Sequence, residues 1–334
     1  MVMISIIIEA QDEDGPRHNP GGYRNALRTT SNRVLLVEGA DDKKSLELLL
    51  IEAHKHGIVN SGDRYQIDTG EMLKSPEDRI YGNRDKVELV CHGLPSASSF
   101  DRFVAFTDRG IRDLDEEGLI DNLMGHRIQG RLVWSRGRSI EHYLFDSDTY
   151  ARTIRIVALT SSFEPALELF RDLFHGFLKV ACALSYAAKT VNRISLIVGT
   201  VEHKILSLSN GVEVDSDAWT SVLLTRTGNN RALTEEIIES YQLWFQHLAG
   251  ADVAFQRWSC HGHIGFRTLW AGYAPCVRQV TRDSREVGQV LQAPAVSLSN
   301  ATISAWAYRA MTDGADYPRE ILAMLVLLNN EALL

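Results

Sequence analysis

The sequence has no apolar run long enough to cross a membrane. Its longest runs, MVMISIII at the start and ILAMLVLL near the end, are far shorter than the ~18–20 residues that a transmembrane helix needs. The first run has no preceding basic residue and is followed by the acidic EAQDED, which is not typical of a secretory signal. The widely spaced cysteines form no Cys-x-x-Cys pair, which disfavours a structural zinc site and favours a reducing compartment. We therefore expect a cytoplasmic protein.

The sequence also lacks an excess of positive charge. A formal net charge of −8 disfavours a protein that coats nucleic acid nonspecifically, because such proteins are usually basic. An enzyme with acidic metal ligands and a local arginine patch is compatible with this charge. The phosphate-binding pattern G-x-x-x-x-G-K-[ST] is missing as well. We therefore expect no ATP hydrolysis by the mechanism that uses this loop.

Between about residues 33 and 145, short β-rich runs alternate with helical patterns. The pattern predicts strands at 34–39, 65–68, 103–108 and 131–135, and helices at 41–54 and 83–94. Such alternation favours a parallel sheet covered on both faces. In these sheets, reactive side chains gather where strands end.

The β pattern fades after about residue 148. Apolar residues recur at helical spacing in 163–184 and in 234–248, and Asp316 and Pro318 are placed to begin a last helix. We therefore predict a loosely ordered N-terminal arm (1–30), an α/β domain (31–147) and a mainly helical domain (148–334). The last would contact substrate, a partner or a second copy.

Acidic residues follow two of the predicted strands. Glu38 closes the first strand, and Asp41 and Asp42 open the next helix; Asp108 closes a later strand, with Asp113, Asp115 and Glu116 in the loop beyond it. Carboxylates at neighbouring strand ends suit Mg²⁺, which takes hard oxygen ligands and keeps waters that a phosphate can replace. Helix capping is the alternative for Asp41 and Asp42. It does not account for Glu38, since a carboxylate at the end of a buried strand is costly.

These residues resemble a known fold. VEGADD, with the later TDRG, is similar to TOPRIM, in which a glutamate follows the first strand and an Asp-x-Asp follows a later one. Asp42 four residues after Glu38, the segment RSIEHYLF (138–145) and the segment CHGHIGFRTLW (260–270) more specifically resemble the TOPRIM-related, AriB-like nuclease effectors of the PARIS phage-defence system.

The resemblance implies a TOPRIM-like parallel sheet domain followed by a mainly helical domain. It also implies a Mg²⁺-dependent endoribonuclease, with Mn²⁺ as an alternative ion and tRNA as the expected substrate. An ABC-type ATPase partner would hold it inactive. Independently of the resemblance, the many large apolar residues of the helical half predict that the released chain forms a homodimer. The family's acidic metal site maps onto Glu38, Asp42, Asp108 and Glu141, while Arg138 would hold phosphate.

The sequence departs from this pattern at one position. Gly110 stands where the second aspartate of Asp-x-Asp is expected, so Asp113, Asp115 or Glu141 can substitute, or the site holds one metal. Three alternatives stay open: a DNA nuclease of the OLD type, a non-catalytic TOPRIM-like binding module, and a simple Arg138–Glu141 ion pair at i,i+3. Cys260, His261 and His263 lie close in sequence, but without a second ligand pair they do not predict zinc.

Overall fold

The computed structural model describes residues 7–8, 18–59, 62, 64–75, 82–94, 100–110, 125–157, 161–281, 283–291 and 295–326. The chain divides into two compact units. The α/β unit comprises Met1–Gly110, Met124–Ile140 and Trp306–Leu334, and the helical unit comprises Ile111–Leu123 and Glu141–Ala305. The last described segment, 306–326, belongs to the α/β unit, and Glu141 belongs to the helical unit.

The α/β unit contains a mostly parallel sheet, as predicted. Its strands are β1 (Ile7–Ile8), β2 (Arg33–Val37), β3 (Arg64–Thr69), β4 (Phe103–Thr107), β5 (Arg127–Gln129) and β6 (Leu132–Trp134). They lie in the order β1-β3-β2-β4-β6-β5, all neighbours parallel except β5, which runs antiparallel to β6. The predicted strands at 34–39 and 103–108 end slightly earlier than expected, so Glu38 and Asp108 directly follow β2 and β4.

Helices α1 (Pro20–Thr29), α2 (Ala40–Lys55) and α3 (Asn83–His92) also belong to this unit. Helix α1 lies within the segment that we expected to be a loosely ordered arm. It begins with Pro20 in its first turn, and Asn19 Oδ1 accepts a hydrogen bond from Gly22 N–H at 2.7 Å. Tyr23 and Leu27 join the core cluster of β2, β4 and α3. Their spacing, four residues apart, is that of a buried helix face.

The helical unit begins with α4 (Glu141–Leu144) and α5 (Ser147–Val157). It continues through α6 (Phe163–Thr190), α7 (Ile194–Thr200), the short antiparallel strands β7 (Leu206–Ser207) and β8 (Glu213–Val214), α8 (Ser216–Arg226), α9 (Arg231–His247), α10 (Val253–Ser259), α11 (Gly262–Val280) and α12 (Ser284–Leu291). The stripes predicted at 163–184 and 234–248 lie on α6 and α9. Phe170, Phe174 and Phe177 of the first stripe are buried. In the described part of the chain, no helix is both long and apolar enough to span a membrane.

The chain then returns to the α/β unit. Helix α13 (Ala295–Thr312) crosses the boundary between the units at Trp306, and α14 (Arg319–Val326) follows. Arg33 Nη1 in β2 donates a hydrogen bond to Leu325 O at 2.7 Å. Helix α14 begins three residues after Asp316, whose carboxylate lies 3.5 Å from Arg136 Nη1.

Candidate active site at the carboxyl edge of the sheet

Two of the expected site residues lie at the ends of adjacent strands. Val37 and Phe106 are paired in the parallel register of β2 and β4. Glu38 and Asp108 therefore leave the sheet side by side at its carboxyl edge, the edge at which β2, β3, β4 and β6 end. Loops at this edge carry the ligand sites of open parallel sheets.

Glu38 keeps one carboxylate oxygen out of water without a hydrogen bond. Oε2 is buried and has no hydrogen-bond partner in the described residues. Oε2 forms an ion pair with Arg84 of α3, whose Nε lies 3.6 Å away, beyond hydrogen-bonding distance. A buried carboxylate oxygen in this state suits a residue that binds a ligand, because it is otherwise destabilising.

Asp108 ties the end of β4 to the segment that follows β6. Its Oδ1 accepts a hydrogen bond from the buried Ile140 N–H at 3.1 Å. The neighbouring Arg109 N–H donates to Ser135 Oγ at 3.0 Å, and that hydroxyl donates to Gly137 O. These bonds fix the direction in which the loop after β4 leaves the sheet.

Asp42 serves the helix that follows β2. Its Oδ2 accepts a hydrogen bond from Gly39 N–H at 3.0 Å, which is one half of a capping box at the start of α2. The capping interpretation is thus supported for Asp42. Its expected role as a metal ligand stays a prediction.

Three arginines lie around the carboxyl edge. Arg138 and Arg109 are buried and Arg84 is about three-quarters buried, with 23% of its side chain exposed. Arg138 O accepts a hydrogen bond from Gly110 N–H at 2.9 Å, and Arg109 Nη1 donates to Arg136 O at 3.3 Å. A guanidinium group presents a planar fork of donors that matches two phosphate oxygens. The sequence singled out Arg138; it gave no sign of Arg84, which comes from a helix distant in sequence from both strand ends.

Gly110 has a backbone conformation and surroundings that favour glycine. Its φ is +65°, a region that L side chains rarely adopt. A Cβ at this position would lie 2.6 Å from Arg84 Nη1 and 2.8 Å from Arg84 Nη2. An aspartate here would therefore require both a strained backbone and a displaced arginine.

Glu141 lies in the helical unit, where His263 is its neighbour. Glu141 Oε1 is 3.5 Å from His263 Nδ1. In the same unit, His142 Nε2 donates to Cys260 O at 2.7 Å, and Arg257 Nε donates to His142 O at 3.1 Å. The segments 138–145 and 260–270, each noted for its resemblance, thus contribute residues to one cluster.

A hydrated Mg²⁺ is compatible with the residues at the carboxyl edge. Among the residues that the structure describes, no three His, Cys, Asp or Glu side chains are grouped as metal ligands. Mg²⁺ is commonly bound through one or two carboxylates, with water and substrate phosphate completing its octahedron. Glu38 and Asp108 supply hard oxygens of this kind. Asp113, Asp115 and Glu116, the other expected acids, lie outside the described residues.

A buried acid of β3 was not predicted as part of any site. Asp68 pairs with Leu36 in the register of β2 and β3. Burial raises the pKa of Asp68, and hydrogen bonds from Tyr23 Oη at 2.6 Å and Gln66 Nε2 at 3.0 Å oppose that rise. Only the strand was recognised from sequence, because nothing in YQID indicates that Tyr23 of α1 lies opposite.

The fold defines the chain as an α/β protein with a mostly parallel sheet and a large helical part. No protein-family model matches the chain, and no curated protein is significantly similar to it. The resemblance to TOPRIM therefore rests on the short motifs around Glu38, Asp108 and Glu141.

Proposed function

We propose that this chain is a Mg²⁺-dependent nuclease with a TOPRIM-like catalytic domain, and that it cuts RNA, with tRNA as the expected substrate. One observation carries the proposal. Glu38 and Asp108 end two adjacent parallel strands, and Glu38 presents a buried oxygen without a hydrogen bond beside an arginine. Acidic ligands combined with cationic phosphate-binding groups are what phosphodiester cleavage requires.

Glu38 and Asp108 would hold the metal through carboxylate oxygens, with Mn²⁺ as a functional substitute. A bound ion of this kind supplies Lewis acidity toward the phosphate and lowers the pKa of a coordinated water. Asp108 is held in place by Ile140 N–H. Arg138 and Arg109 would orient phosphate oxygens through planar, charge-assisted hydrogen bonds. Asp42 supports Glu38 by fixing the turn at Gly39, and Glu141 is proposed as a further acid of the site on the resemblance alone.

The resemblance also supports a proposal about regulation. We propose that the nuclease is a cytoplasmic antiviral effector held inactive by an ABC-type ATPase partner, and that it forms a homodimer on release. The sequence lacks a nucleotide-binding P-loop, which is consistent with an ATP-dependent gate in another subunit. Light scattering on the isolated chain and on a mixture with a PARIS-type ATPase tests this. A stable monomer that never binds the ATPase would contradict it.

The assay for the proposed activity compares three proteins on two substrates. Wild-type chain, Glu38→Gln and the control Glu47→Gln are incubated with tRNA or plasmid DNA, in MgCl₂ or EDTA. Glu47 is on α2 of the same unit and pairs with Lys43, 3.9 Å away, on the helix surface. We expect Mg²⁺-dependent cleavage of tRNA by wild type and Glu47→Gln. Glu38→Gln should lose roughly a hundredfold in rate, or about 2.7 kcal/mol.

Other results would favour other functions. Cleavage of DNA alone would indicate an OLD-type DNA nuclease with the same site. Equal activity of a folded Glu38→Gln variant would overturn the proposed site. The ion pair between Glu38 and Arg84 favours one further candidate, a TOPRIM-like binding module without catalysis, because an internal cation already balances the acid. The absence of Mn²⁺ binding and of cleavage in wild type would support that module.

A further inference from the structure

Arg84 lies at the carboxyl edge in a way that the proposed metal ligands do not explain. Arg84 Nε and Glu38 Oε2 face each other at 3.6 Å. Both atoms are buried, and neither has a hydrogen-bond partner within the described residues. The separation is too long for a hydrogen bond, and buried polar atoms are normally satisfied. An anion bound by the guanidinium and a cation bound by the carboxylate would satisfy both atoms.

Arg84 also occupies the space where a side chain at position 110 would begin. Its Nη1, Nη2 and Cζ lie 2.6–3.0 Å from the position of a Cβ on Gly110, and its Nη1 donates to Arg109 O at 3.4 Å. Where the Asp-x-Asp motif of TOPRIM has its second aspartate, this chain has Gly110, and the guanidinium of Arg84 lies beside it. One negative charge is lost and one positive charge is gained, so the edge is two charges more positive than with an aspartate and no arginine.

We propose that Arg84 binds a phosphodiester group of the substrate beside Glu38 and takes the electrostatic role of a second metal ion, so that the site works with one divalent ion. This inference rests on the proposed nuclease function and deepens it. A guanidinium presents a rigid fork of donors that matches two phosphate oxygens. A fixed positive charge at this distance also disfavours a second dication on Glu38, because like charges repel strongly in a partly buried site.

The test uses Arg84→Gln in the full-length chain, with Arg131→Gln as the matched control. Arg131 forms a similar pair, Nη2 to Asp101 Oδ1 at 3.0 Å, but these residues precede β6 and β4 and so lie at the opposite edge of the sheet. Calorimetric titration with MnCl₂ measures metal affinity and stoichiometry. Binding of a fluorescent oligoribonucleotide in EDTA, over a range of salt concentrations, measures phosphate contacts without metal.

Arg84→Gln should bind Mn²⁺ several-fold more tightly than wild type, because a repelling charge is removed. It should bind RNA roughly tenfold more weakly. The slope of the logarithm of the RNA-binding constant against the logarithm of the salt concentration should be smaller in magnitude by about one. Arg84→Lys should have Mn²⁺ and RNA affinities between those of wild type and Arg84→Gln. Arg131→Gln should have the affinities of wild type. The wild-type stoichiometry should be one Mn²⁺ per chain.

A purely structural role for Arg84 predicts the opposite change in metal affinity, since Glu38 would lose the group that positions it. Weaker or unchanged Mn²⁺ binding by folded Arg84→Gln, or unchanged RNA binding, overturns the inference. Failure of this inference can be distinguished from failure of the proposed nuclease function. Arg84-dependent RNA binding without any cleavage refutes only the nuclease, whereas Glu38-dependent cleavage with an inert Arg84 refutes only the role of Arg84. A wild type that binds neither probe refutes both.

Discussion

Glu141 Oε1 lies 3.5 Å from His263 Nδ1, so the acid expected to complete a metal site has a histidine as its neighbour in the helical unit. The two residues come from segments 138–145 and 260–270. Each of these segments supplies one of the two side chains of the contact.

We expect this pair to couple weakly. His263 is 61% exposed, and exposed ion pairs contribute roughly 0.2–1 kcal/mol. A double-mutant cycle of Glu141→Gln and His263→Gln, followed by urea denaturation, measures the coupling. If Glu141 is also a metal ligand, Glu141→Gln weakens Mn²⁺ binding while His263→Gln leaves it unchanged. If Glu141→Gln binds Mn²⁺ as tightly as wild type does, Glu141 is not one of the metal ligands.

Two substitutions of Asp108 separate its charge from its hydrogen bond. Asp108→Ala removes the acceptor of the buried Ile140 N–H and should lower the free energy of unfolding by about 1–3 kcal/mol. Asp108→Asn keeps an acceptor oxygen and should cost less than Asp108→Ala. Both should lose Mn²⁺ affinity. If both variants were as stable as wild type, the hydrogen bond would not organise this loop.

Gly110→Ala should be more destabilising than a glycine substitution in similar backbone geometry. Gly57 has φ +73° and no atom within 4 Å of the position that a Cβ would occupy. Gly57→Ala should therefore lower the free energy of unfolding only by the strain of the left-handed backbone, roughly 1–2 kcal/mol. Gly110→Ala adds the clash with Arg84. In an Arg84→Ala background, the cost of Gly110→Ala should fall to that of Gly57→Ala. An unchanged cost would show that Arg84 does not occupy this space in solution.

The buried Asp68 should make stability depend on pH. Its pKa in the folded chain is raised by burial, so the folded state binds more protons than the unfolded state above the ordinary Asp pKa of about 3.9. This contribution to stability is complete below that pH and is lost as pH rises through the folded pKa. Subtracting the unfolding free energies of Asp68→Asn from those of wild type should give a difference that falls across this window.

Tyr23→Phe supplies the companion measurement. Its hydroxyl donates to Asp68 Oδ2 and lowers the pKa of that acid. Removing it should raise the pKa further, so the loss of stability should extend to higher pH. A pH profile identical to wild type in both variants would rule out Asp68 as the titrating group.

The helical unit allows a test of close packing. A Cβ at Gly272 of α11 would lie 2.7 Å from Phe177 Cδ1, whereas Gly288 of α12 has no atom within 4 Å. Gly288→Ala should stabilise the chain by up to about 1 kcal/mol through helix propensity. Gly272→Ala should be destabilising by about 1–3 kcal/mol because the core is overpacked. Thermal denaturation compares the two, and the same sign for both would contradict the packing of α6 on α11.

The sequence was most informative where local pattern determines structure. β2, β4 and α2 form where buried runs and amphipathic spacing predicted them, and the placement of Glu38 and Asp108 follows from strand polarity. The sequence does not predict three contacts of the site and its surroundings: Glu38 with Arg84, Asp68 with Tyr23, and Glu141 with His263. Each of these contacts joins residues distant along the chain, and its partner depends on how elements pack rather than on spacing. The capping bond of Asp42 is predictable from the local sequence, because an acid at the third position of a helix can accept a hydrogen bond from the N-cap N–H.

The return of the chain to β2 has a consequence for synthesis. The Arg33–Leu325 hydrogen bond joins residues separated by 292 positions, and translation adds about 5–20 residues per second. Strand β2, which Glu38 follows, is therefore synthesised about 15–60 s before Leu325 of α14. During that interval β2 and β4 lack the contacts that α14 makes with them, so this part of the α/β unit is completed only after the intervening helical unit has been synthesised.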